Sequence, residues 1–138
     1  MTNEQITSLI HLHHQIQNAD PSEDALWQAI IAHQSCEFHT SSGLSFTYTL
    51  KIGRRGLPTN ELLITRKEES KTLTKSSILY AYRKILENIQ ITQSIDEEGN
   101  PFSTLIPAVY KGPKAIGQIF GISYIYSIFL HFGLIRKS

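Results

Sequence analysis

The chain has a single cysteine, Cys36, among 138 residues. One thiol excludes an internal disulfide framework and fits a reducing compartment. Positive charge is missing from the first part of the chain: residues 1–50 hold five acids (Glu4, Asp20, Glu23, Asp24, Glu37) and no Lys or Arg. With no basic cluster ahead of a short apolar run at the N-terminus, no secretory signal is expected, and a cytoplasmic location is the expectation. Walker, dinucleotide-binding and nucleophile-elbow glycine patterns are all absent. No catalytic residue can be nominated, and the reading is of a protein that is not an enzyme and uses no cofactor.

What the chain does have is a block of positive charge. Residues 51–84 carry nine bases against three acids, a net +6, whereas residues 85–138 balance four against four. A block of this kind bears on partners and association rates rather than on fold.

Hydrophobic spacing lays out the elements. Thr2, three residues before Gln5, forms a capping-box pattern ahead of Ile6, Leu9, Ile10 and Ile16. Asp20-Pro21-Ser22-Glu23 reads as a second helix start with Asp20 as N-cap, followed by Leu26, Trp27, Ile30 and Ile31. The period then changes to two, since Leu44, Phe46, Tyr48, Leu50 and Ile52 alternate with polar residues. With short strands at Glu37–Thr40 and Leu62–Thr65, this predicts a three-stranded antiparallel meander, Gly53 to Asn60 being a polar loop. Thr74 is the expected N-cap of an amphipathic helix carrying Ile78, Tyr82, Ile85, Leu86 and Ile89. The expectation is one α+β domain over residues 1–138: an acidic helix pair (1–36), a β-meander (37–73) and a helical half (74–138) ending in a helical hairpin packed on the sheet.

That last segment has three readings. Ala115 to Ile135 is a run of 21 residues without Asp, Glu, Lys or Arg, long enough to span a bilayer. Gln118, His131 and three glycines dilute its apolar character and weigh against a membrane anchor. Ala115–Phe120, Gly121-Ile122-Ser123 and Tyr124–Phe132 loosely resemble the helix, glycine turn and second helix of bacterial helix-turn-helix DNA-binding domains. Against that resemblance, the second helix offers no Arg, Lys, Asn or Gln to read base edges. The third reading is two short helices broken at Gly121 and buried in the core, with Tyr124 and Tyr126 on an exposed edge as a partner surface.

His33, Cys36 and His39 have a spacing that can begin a zinc site, with His11, His13 or His14 as a further ligand. No second Cys/His pair supports it, so no metal is assigned. Cys36 as a nucleophile lacks any residue to orient a base.

The basic block is the stronger candidate. Arg54 and Arg55 stand at a hairpin tip, Arg66, Lys67 and Lys71 along and after the third strand, and Lys75 and Ser76 at a helix start. Together they suit the backbone of a nucleic acid, DNA ahead of RNA. The leading expectation is therefore a small nucleic-acid-binding regulatory or accessory protein. The alternative is a protein-binding module or inhibitor acting on a protein partner, and a homodimer is a further option. In the bland reading, the basic face pairs with the acidic helices of the same chain.

Overall fold

The computed structural model describes all 138 residues. Helix α1 (Asn3–Gln17) opens on the expected capping box: the Gln5 amide donates to Thr2 Oγ1 at 3.1 Å and the Thr2 amide to Gln5 Oε1 at 3.0 Å. Helix α2 (Glu23–Ala32) is capped by Ser22, whose hydroxyl accepts from the Ala25 amide, and not by Asp20. The Asp20 amide is already committed to the carbonyl of Gln15, closing α1 through a left-handed Ala19. Pro21 consequently lies outside the helix.

The sheet has four antiparallel strands instead of three, in the order β1 (Phe38–His39), β2 (Ser45–Ile52), β3 (Pro58–Arg66) and β4 (Glu69–Thr74). Strand β3 extends back to Pro58, which leaves only residues 53–57 as the β2–β3 turn. The added strand β4 lies on the sheet's edge, and of its residues only Leu73 is buried. One apolar residue in six gives no alternating signal. Thr74 then caps α3 (Lys75–Leu86) as expected, accepting from the Ser77 amide.

Beyond α3, residues 74–138 are not a helical half. Strands β5 (Gln90–Ile95) and β6 (Pro101–Ile106) form a hairpin, and β7 (Ala108–Tyr110) pairs in parallel with β8 (Ile135–Lys137). Between β7 and β8 lie a single 3-10 turn at Pro113–Ala115, an irregular stretch, and α4 (Ile122–His131). The C-terminal segment is thus the crossover of a parallel strand pair and not a helical hairpin. Its first expected helix does not form because Pro113 starts a turn and Gly121 adopts φ 78°, a left-handed conformation that suits glycine and breaks any helix running on from Ala115. With that helix absent, the helix-turn-helix resemblance fails. The 21-residue uncharged run is divided among four local structures, and no helix is long and apolar enough to cross a membrane.

Helix α4 is buried on nearly every side. Its Ser127 hydroxyl donates to the His39 carbonyl at 2.6 Å, tying the helix to β1. Tyr126 and Ile125 are fully buried and Tyr124 is 9% exposed. The expected exposed tyrosine edge does not exist, because both side chains are spent on the core. Leu134 and Ile135 are buried too, in one continuous apolar cluster with the sheet, α2 and α3.

Candidate functional site

Cross-strand pairing decides where the basic block goes. On the core side of the sheet, Leu62 faces Leu73 and Ile64 faces Lys71, while Arg66 faces Glu69. Directly paired residues point to one side of a sheet. The row that buries Leu62, Ile64 and Leu73 therefore continues past the edge of the core as Lys71 and Arg66. The start of α4 stands opposite.

The resulting cleft runs through three adjoining hollows that share residues. The first, about 310 Å³, is lined by Thr40, Ser42, Leu44, Arg66, Lys71 and the stretch Ile119–Tyr124. The second, about 470 Å³, shares Leu44 and Arg66 and adds Lys67, Glu68 and Glu69. The third, about 490 Å³, shares Thr40, Ser42, Ile122 and Ser123 and adds Ser41, Lys111 and Lys114. Five bases thus border the cleft against two acids. Arg66 donates to Glu69 at 3.0 Å, an exposed pair of small energetic weight. Lys67, Lys71, Lys111 and Lys114 have no acidic partner within ion-pair distance. Hydroxyls of Ser41, Ser42 and Ser123 line the same cleft, and the first turn of α4 borders it without a side-chain cap. Such an array of cations and hydroxyls can hold phosphate oxygens.

The structure divides the expected site in two. Arg66, Lys67 and Lys71 come together in the cleft. Arg54 and Arg55, in the β2–β3 turn, stand beyond the other end of β3, about 25 Å from Arg66 at the rise of an extended strand, whereas Lys75 and Ser76 follow β4 level with Glu61, between the two. Lys75 is further engaged, its ammonium lying 4.8 Å from the centre of the Trp27 ring. Ser76 hydrogen-bonds the capping Thr74 hydroxyl. Sequence reasoning missed Lys111, Lys114, Ser42, Ser123 and Phe120. The pattern Lys111-Gly112-Pro113-Lys114 was the available signal, a turn dipeptide presenting a cation on each side.

The pairing of the basic block with the acidic helices is slight. One ion pair spans them, Arg83 to Glu23 at 2.8 Å. The His-Cys-His spacing does not converge either. His33 is buried with Nδ1 against the Ala29 carbonyl, Cys36 accepts from the Gln5 side chain, and exposed His39 lies beside Glu37. No group of three or more His, Cys, Asp or Glu is arranged to hold a metal ion.

No protein family, curated protein or solved structure matches this chain. Its function is therefore argued from its own residues.

Proposed function

We propose that the protein is a small nucleic-acid-binding accessory or regulatory protein whose contact surface is the cleft between β4 and the start of α4. The observation that carries this reading is the excess of unpaired cations there: five bases against two acids, four of those bases outside any ion pair. Lysines held near one another without acidic partners repel, and a polyanion relieves that repulsion while releasing its own counterions. Hydroxyls beside the cations add donors that position a sugar–phosphate backbone without reading sequence.

Fluorescence anisotropy with a labelled mixed-sequence oligonucleotide of about 15 nucleotides tests this at about 50 mM salt. Binding should appear there and weaken steeply as salt rises. No binding at that salt sinks the proposal.

A second reading, a module for a protein partner, is favoured by the β5–β6 hairpin. Its turn carries Asp96, Glu97 and Glu98, and Ile95 and Phe102 beside the turn are exposed. An acidic, apolar-tipped ribbon repels phosphates and suits a basic protein surface. Capture of a host protein that survives nuclease treatment and is lost with a Glu97→Lys/Glu98→Lys variant would support it.

A further inference from the structure

We infer that the cleft takes single-stranded rather than duplex nucleic acid, with one base stacked on Phe120. The inference rests on the cleft binding nucleic acid at all. Phe120 is 69% exposed, yet it sits in the irregular stretch between the 3-10 turn and α4, held by half-buried Ile119 on one side and by Gly121 on the other. It lines the same hollow as Arg66 and Lys71. An exposed aromatic ring beside a row of cations is the arrangement that holds an unpaired strand: the cations follow its phosphates, and the ring takes the face of a base. Within a duplex that face is already stacked on its neighbours and is out of reach.

None of the other elements beside the cleft can enter a duplex groove, and the one basic ribbon tip, Arg54–Arg55 in the β2–β3 turn, stands beyond the far end of β3, away from the cleft. Groove reading requires a projecting helix or ribbon with donors and acceptors along it. Helix α4 is enclosed by the core from Tyr124 to Phe129. The β5–β6 ribbon projects, but it has acids at its tip and no Lys or Arg. On α3 the cations are engaged elsewhere: Lys75 over Trp27, Lys84 over the Tyr80 ring, Arg83 with Glu23. Helices α1 and α2 begin with Glu4 and with Glu23 and Asp24. What remains is concave. The hollow that Phe120 helps to line, about 310 Å³, is at the small end of ligand pockets, the size of one nucleotide unit.

The test compares four probes on the full chain by anisotropy or competition: a DNA strand of about 12 nucleotides, the RNA strand of the same sequence, its DNA duplex, and a free mononucleotide. A single strand should bind about tenfold or more tighter than the duplex, and the mononucleotide far more weakly than either strand. Phe120→Ala should weaken the single strand roughly tenfold and leave the duplex unchanged. Because Phe120 is on the surface, this variant keeps the fold, as circular dichroism should confirm. Phe120→Trp should retain the affinity and show indole quenching on binding, the native Trp27 being buried. Equal affinity for strand and duplex, full affinity in Phe120→Ala, or a mononucleotide that binds as tightly as the strand would each overturn the inference while leaving the basic cleft standing. Absence of binding by every probe would overturn both.

Discussion

Gly121 lies so close to Leu73 that a β-carbon on it would sit 2.6 Å from the leucine Cδ1. Leu73 is buried, so it cannot swing clear, and Gly121 also adopts φ 78°. One glycine thus closes the core where the sheet meets α4 and sets the wall of the cleft.

Gly121→Ala should therefore lower stability by about 1–3 kcal/mol, part from left-handed backbone and part from the contact with Leu73. Gly112→Ala is the control. Its φ of −177° is open to any residue and nothing lies within 4 Å of the added carbon, so its effect should be near zero. Urea denaturation of both variants measures the difference.

Two buried tyrosines should respond oppositely to loss of the hydroxyl. Tyr48 donates to the Ile30 carbonyl at 2.6 Å, joining β2 to α2. Tyr48→Phe should cost about 1–3 kcal/mol, since the carbonyl is left unpaired. The Tyr82 hydroxyl is buried with no partner, and burial with the nearby Glu23 carboxylate pushes its pKa up to about 12. Tyr82→Phe should be neutral or stabilising. Equal destabilisation in both would refute this account of the core.

Acid should weaken the fold through His131, the last residue of α4. Partial burial first, then the neighbouring His33 ring, with the N-terminus further contributing, lowers the His131 pKa; the two rings are 5.4 Å apart. A histidine whose folded pKa is depressed binds its proton first in the unfolded chain. Stability is then fully present above about pH 6.5 and falls as pH drops toward the lower folded value. Denaturant midpoints between about pH 7.5 and 5 should decline, and His131→Gln should flatten part of the decline. A flat wild-type profile contradicts this.

Elements that carry their own periodic signal were legible in the sequence. Strand β2 alternates strictly, and α1 and α3 announce their caps at Thr2 and Thr74. Strand β4 was not legible, because an edge strand buries one residue, Leu73, and takes its structure from backbone pairing with β3. Strand β8 was hidden for the same reason: three residues, Ile135–Lys137, become a strand only once β7 is alongside. The site was half visible. Charge density identified Arg66, Lys67 and Lys71, but joined them to Arg54 and Arg55, which sequence proximity groups and β3 holds apart. Lys111 and Lys114 meet Arg66 and Lys71 only because the β7–β8 crossover brings the start of α4 against the sheet.

The division of the basic block into two ends is the central claim, and the salt dependence of nucleic-acid affinity tests it most directly. A variant with Arg66, Lys71, Lys111 and Lys114 replaced by alanine should lose affinity, and the slope of log K against log salt should shrink by about 0.7 for each phosphate contact removed. Arg54→Ala/Arg55→Ala should leave that slope nearly unchanged. The reverse result, with the slope carried by Arg54 and Arg55 and untouched by the four cleft substitutions, would contradict the account.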